Sequence, residues 1–158
     1  MLKDCVIGTF VIPDKKDVLR KEAEFDFYRT QEQFLFIDDS GKAKEILDKL
    51  SEVQIYDKTY TAHFLFEFME HVIQDDVNYL QEYETYLAEL EEKILEHQVK
   101  EINHDILRVR KKLLILEKYY SQLTDMSEAL ESNKNHMFSD DDCRVFALYA
   151  SRASRLYE

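Results

Sequence analysis

The run Ser139-Asp140-Asp141-Asp142 carries the densest group of hard oxygen ligands in the chain. Adjacent carboxylates suit magnesium or calcium, yet consecutive side chains on a helix diverge, so only one or two can aim at a single ion. The same residues also have a structural reading. Ser139 as N-cap with Asp142 three positions on makes a capping box, and acids in a first turn complement the helix dipole. The two roles are compatible. The histidines at 63, 71, 97, 104 and 136 are scattered, and no His-Glu-x-x-His spacing occurs. His63 and His71 fall in an apolar segment that favours packing, and His97 and His104 flank the expected hairpin tip together with Glu96 and Glu101, a polar stretch that could hold a metal but reads as a solvated tip. Gly8 and Gly41 are the only glycines, which excludes a glycine-rich phosphate loop. No set of residues reads as catalytic, so neither an enzyme nor a resident cofactor is expected.

Composition narrows the partners. The 158 residues carry a net charge of −12 and are 34% charged, with two glycines and one proline. Long helices with few tight turns suit that balance. The acidity repels phosphate backbones and anionic headgroups, which argues against nucleic acid, and it leaves cations as the more natural ligands. Cys5 and Cys143 are far apart in sequence and read as reduced thiols, neither zinc ligands nor a redox pair. No stretch approaches the ~18 to 20 apolar residues of a membrane span, so the chain as given is expected to be soluble.

The elements that must position the aspartates follow from periodicity. Residues 5 to 12 form an apolar, β-rich run ended by Pro13, expected to be a strand covered on both faces. Phe25 and Phe27, then Phe34 to Ile37 beyond the polar stretch Arg29 to Gln33, suggest a hairpin whose loop lacks glycine. Asp39-Ser40 can cap a helix carrying Ile46, Leu47 and Leu50 on one side. From about Thr61 the spacing changes to alternate threes and fours, predicting a helix of nearly forty residues with Leu80, Tyr83, Leu87, Leu90 and Ile94 along one seam. The answering seam is Ile102, Ile106, Val109, Leu113, Leu116, Tyr120, Leu123 and Leu130, with Ser127 as its one weak step. The polar stretch Glu96 to His104 is short enough to force the two arms antiparallel. The first arm is acidic and the second basic over 105–118, so charge pairing between them is expected to set register. A third helix is expected from Ser139 to the C-terminal Glu158, with Phe146, Tyr149 and Leu156 in its apolar stripe. The predicted class is α+β, mainly α. A small partial β-sheet unit occupies residues 1–57, a long antiparallel helical hairpin 58–133, and the beginning of a third helix 134–158.

This order resembles the cytoplasmic domain of CorA-type magnesium and cobalt transporters. The segment Phe64 to Leu95, including Glu89-Leu90-Glu91-Glu92-Lys93-Ile94-Leu95, is similar to the family's first long helix after the sheet domain. Ile106 to Leu114 looks like the start of the returning helix, Met137-Phe138-Ser139-Asp140 like the beginning of the stalk helix, and Phe27 to Asp38 like the last hairpin before the helices. The family's Gly-Met-Asn signature and membrane helices, and most of its sheet domain, have no counterpart in these residues. The resemblance implies a regulatory domain on the cytoplasmic side of the membrane, part of an integral membrane protein and attached through segments this chain lacks. It implies a homo-oligomer, pentameric in the family, although the chain alone could be monomeric. It implies a regulatory divalent cation, magnesium or another of the family's range, with Asp140 matching the stalk-helix carboxylate of the cation site and the partner carboxylate lying outside this chain. The alternative reading is an intracellular α-helical scaffold or adaptor whose hairpin binds a partner helix.

Overall fold

A computed structural model of the chain describes residues 4–53, 61–95 and 99–157. The boundary expected at 57/58 and residues 96–98 of the expected turn lie outside the described residues, as do Glu158 and the side chain of Ile102.

Three strands form an antiparallel sheet in the order β1 (Val6–Pro13), β2 (Lys21–Arg29), β3 (Phe34–Ile37). Phe10 faces Phe25 and Gly8 faces Phe27 across β1 and β2, while Phe27 faces Phe36 across β2 and β3. The two-residue period therefore puts aromatic rings on one face. That face buries Phe10, Phe25 and Phe27. Gly8 is required there by close approach: a Cβ at this position would lie 2.4 Å from the Phe27 ring. The expectation that β1 is covered on both faces is not met, because Ile7 and Val11 are exposed on the outer face. The β2–β3 turn manages without glycine because the Thr30 hydroxyl accepts the backbone N–H groups of Glu32 and Gln33, and Thr30 N–H donates to the Gln33 carbonyl at 2.9 Å. Arg29, read from sequence as part of that polar loop, is instead the buried last residue of β2.

Helix α1 (Lys42–Val53) begins where the Asp38 carboxylate accepts Ala43 N–H at 2.8 Å and the Ser40 hydroxyl accepts Lys42 N–H at 3.2 Å. Asp38 thus performs the capping expected of Asp39. Helix α2 (Thr61–Ile73) drives Phe68 into the aromatic face of the sheet, its ring centroid 5.4 Å from Phe10 and 4.5 Å from Phe36. Phe64 meets Phe34 one turn earlier.

The long helix of nearly forty residues expected from Thr61 is present but bent into two segments. α2 stops at Ile73, and α3 (Asp76–Leu95) starts after a turn at Gln74-Asp75. Asp is a poor interior helix residue and a good first-turn one, and Asp76 sits in that first turn with its side chain wholly buried against Lys15. α4 (Val99–Glu131) begins inside the stretch expected to be the turn. α5 (Asp140–Ser154) folds back along α4 and ends at Ser154, four residues short of the expected limit.

The seam along α4 has two partners. Its first half faces α3, where Leu90, Val109 and Leu116 are buried and the Tyr83 hydroxyl reaches the Val109 carbonyl at 3.5 Å. Its second half, with Leu123, Ser127 and Leu130, packs mainly on α5, which also touches α2. The charge pairing expected between the arms is absent: among the described residues no ion pair links α3 to α4.

Candidate functional site

The aspartate run opens α5, and the local sequence fixes it tightly. The turn from α4 passes through Asn133 and His136, both with positive φ. Asparagine tolerates that conformation, and the Asn133 side chain closes the turn. Its Oδ1 accepts the N–H groups of Met137 at 2.8 Å and Phe138 at 3.0 Å, and its Nδ2 donates to the Phe138 carbonyl at 2.8 Å. Ser139 is the N-cap. Its hydroxyl accepts Asp142 N–H at 3.2 Å, and the Asp142 carboxylate accepts Ser139 N–H at 2.9 Å and the Ser139 hydroxyl at 2.8 Å. The capping box read from the sequence is therefore formed.

The three carboxylates have different fates. Asp142 is engaged in the cap. Asp141 pairs with Arg144 at 3.1 Å on the surface. Asp140 is exposed and has no hydrogen bond or ion pair among the described residues. The carboxylates do not converge: no group of three or more His, Cys, Asp or Glu side chains among the described residues could hold a metal ion. Asp140 and Asp142 do share one neighbour. The Cys143 thiol is pushed up from its ordinary range first by burial and then by the charges of Asp140, Asp142 and Glu131.

Beneath the cap lies a cation that the sequence reading assigned to a loop. Arg29 is buried, its guanidinium stands 4.4 Å from the centroid of the Phe138 ring, and it donates to the Met137 carbonyl at 3.5 Å. Burial lowers the Arg29 pKa, and the Asp142 charge works against that lowering. Arg29 thus ties the sheet to the start of α5 and neutralises part of the aspartate field from below. The alternation Phe25, Phe27, Arg29 was the signal available, since it puts all three on the inner face.

The histidines stay apart. His63 lies 3.4 Å from Glu67 on the same helix, His71 is half-buried with its pKa lowered chiefly by burial, and His104 and His136 are exposed. His97 lies outside the described residues.

A second polar group lies at the bend between α2 and α3. Asp76 is 0% exposed and pairs through one oxygen with Lys15 from the β1–β2 connection. The Tyr120 hydroxyl is buried within hydrogen-bonding influence of Asp76 and helps Lys15 hold the carboxylate charged, while the Tyr149 hydroxyl is buried without a hydrogen-bond partner among the described residues. Burial raises the Asp76 pKa more than Lys15 lowers it. Tyr79, beside it, is pushed up to about 12, again chiefly by burial. Close by, Arg152 of α5 pairs with Glu70 of α2. The apolar pattern broken by Asp75-Asp76 was the only trace of this cluster in the sequence.

A groove of about 940 Å³ runs between α3 and α4, lined by Leu80, Leu87, Leu113 and Leu116, with Arg152, Leu156 and Tyr157 at one end. No helix among the described residues is long and apolar enough to cross a membrane.

No protein-family model matches the chain, and no curated protein matches it. Solved structures do. The CorA magnesium transporter from Methanocaldococcus jannaschii matches 98% of this chain with a TM-score of 0.78 at 21% sequence identity. The chain has the CorA soluble-domain fold. The soluble domain of CorA from the same organism matches 97% of it, with a TM-score of 0.72 at 20% identity. The CorA likeness spans 50% of the complete transporter chain and 62% of the soluble-domain chain. At this identity the likeness is one of fold.

Proposed function

We propose that this chain is the cytoplasmic regulatory part of a CorA-like divalent-cation transporter. The observation that carries the reading is the likeness of nearly the whole chain, 98%, to one continuous architecture in a magnesium transporter. The first turn of α5 supports a sensing role for Asp140. It is the one aspartate of the three whose carboxylate is not engaged within the described residues, and it is held in place by a helix start that Asn133, Ser139 and Asp142 make rigid.

Asp140 alone does not make a magnesium site. Magnesium keeps much of its hydration and needs several oxygens placed together, and here Asp142 is committed to the cap while Arg29 adds positive charge beneath it. The residues present fit half of a shared site, the second carboxylate coming from a neighbouring copy or from segments outside this chain. In that arrangement a cation bound between copies favours the assembled, closed state, because it binds that state and not the separated one. The test is cation uptake by cells lacking their own magnesium transport and expressing the protein with its full reading frame. Uptake of magnesium or cobalt above background supports the reading, and none at normal expression contradicts it.

A further inference from the structure

The outward face of α4 breaks the acidity of the chain. Against 33 acids and 21 bases overall, residues 106–116 hold Arg108, Arg110, Lys111 and Lys112 and no acid. At about 100° per residue, Leu107, Lys111, Leu114 and Lys118 fall within about 60° of one another around the helix, over about 16 Å of its length. They lie opposite Val109 and Leu116, which are buried on the α3 side, so this face points directly away from α3. Leu107 and Leu114 are 56% and 54% exposed, and Lys111 and Lys118 alternate with them at the surface. Arg108 and Arg110, also exposed, flank the face on its two sides. It is a different surface from the groove, whose α4 side includes Leu113, Leu116 and Glu117.

The charges on this face are unspent. None of Arg108, Arg110, Lys111 and Lys118 is engaged in an ion pair among the described residues. Glu117 lies about a quarter-turn round the helix, and the next acid along the face itself is Asp125, about two turns beyond Lys118. The acids of α3 stand on the far side of α4, at least a helix diameter of about 10 Å away, which exceeds the Debye length of about 8 Å at physiological salt. They are screened from anything that touches the outer face. The net charge of −12, which repels an anionic surface from the chain at large, is therefore reversed locally.

The order of residues selects the partner. A helix laid along this face would need apolar residues at both alternating positions of its seam, whereas here leucine alternates with lysine, so it would bury Lys111 and Lys118. Nucleic acid would match the bases and leave both leucines without a contact. An anionic bilayer surface uses both kinds of side chain, because ammonium groups on flexible stems stay level with the phosphates while leucines reach the acyl boundary. We propose that the outer face of α4 docks on the surface of an anionic phospholipid bilayer, with Leu107 and Leu114 below the headgroups and Lys111, Lys118, Arg108 and Arg110 among them. Four bases and two leucines make this contact reversible and salt-sensitive. The proposal does not rest on the transporter reading.

The test is co-sedimentation of the 158-residue chain with vesicles of phosphatidylcholine, alone or with about 40% phosphatidylglycerol, at about 50 mM and about 500 mM salt. Binding to the anionic vesicles only, lost at the higher salt, is expected. Lys111→Glu with Lys118→Glu, and separately Leu107→Gln with Leu114→Gln, each weaken it by about ten-fold, all four positions being exposed. Lys44→Glu with Lys134→Glu makes the same change of net charge at exposed lysines elsewhere and leaves binding within about two-fold. The chain has no tryptophan, so Leu107→Trp reports on the face directly, and its emission shifts to the blue on anionic vesicles. No binding at low salt overturns the proposal, as does an unshifted emission, binding indifferent to the leucine pair, or an equal loss in the Lys44 and Lys134 variant. Binding of single-stranded RNA that survives the leucine changes, without vesicle binding, overturns it in favour of nucleic acid. Circular dichroism separates loss of the surface from loss of the fold, and the salt and tryptophan measurements decide the matter should a charge variant unfold.

Discussion

The Ser127 hydroxyl of α4 donates to the Phe146 carbonyl of α5 at 2.7 Å, with Ser127 wholly buried. The weakest step in the α4 apolar seam is thus the point where the two helices hydrogen-bond. Ser127→Ala should cost about 1 kcal/mol, the net value of one buried hydrogen bond. Ser127→Leu adds bulk at the contact and should cost about 1 to 3 kcal/mol from overpacking. Urea unfolding of the two variants checks the order; equal stability of Leu and wild type would mean the helices are not in close contact there.

Gly8→Ala should destabilise the sheet by about 1 to 3 kcal/mol. The new methyl would meet the Phe27 ring at 2.4 Å, and Phe27 is buried against Phe10 and Phe34, so the ring must shift out of those contacts. Thermal melting reads the effect, and an unchanged midpoint would place Phe27 elsewhere.

Lys15→Met removes the ion-pair partner of a buried carboxylate. The loss should be about 3 kcal/mol, the low end for a broken buried pair, because Lys15 is one-third exposed and partly screened. Asp76 also has a pH signature. Its pKa is raised in the fold above the ordinary 3.8, so the folded state binds the proton more tightly than the unfolded one. Its contribution is then fully present below 3.8 and is lost as pH climbs from there through the raised folded value. Asp76→Asn should flatten that fall. Chemical denaturation of wild type and Asp76→Asn across pH 4 to 7 tests the sign; a wild-type contribution from Asp76 that grows with pH would contradict it.

Leu116→Asp should be severe, several kcal/mol, since it buries a carboxylate without a partner, whereas Leu113→Asp should be mild. Leu116 is 4% exposed and Leu113 is 40% exposed, although both sit in the same three-four rhythm. Helicity and melting of the two single variants distinguish them.

That last contrast shows where sequence stops being legible. The rhythm found both helical arms, and it found Ser139 and Asp142 as a helix start, because these are local and each residue carries its own signal. It did not divide the α4 seam between α3 and α5, since an apolar residue looks the same whichever helix it meets. The bend before Asp76 was missed for a related reason. An acid beside an apolar run reads as surface unless a distant lysine, here Lys15, is known to reach it. Arg29 was misplaced because a charged residue at the edge of a loop outweighed the alternation that put it inside. The separation of Asp140 from Asp142 needed the hydrogen bonds themselves.

Asp142→Ala should lose the capping box and cost about 1 kcal/mol, while Asp140→Ala should lose only a helix-dipole contribution of about 0.3 to 1 kcal/mol. In isolation the chain should bind magnesium only weakly with either residue present, as calorimetric titration can check.

Cation flux against internal magnesium, measured in proteoliposomes holding the full-length protein, is the most direct test of the regulatory role. Wild type should show flux that falls as internal magnesium rises, and Asp140→Ala should shift the half-inhibiting concentration upward several-fold at unchanged maximal flux. Superimposed inhibition curves would leave Asp140 as part of a helix start alone, and flux indifferent to internal magnesium would contradict cation sensing by this domain.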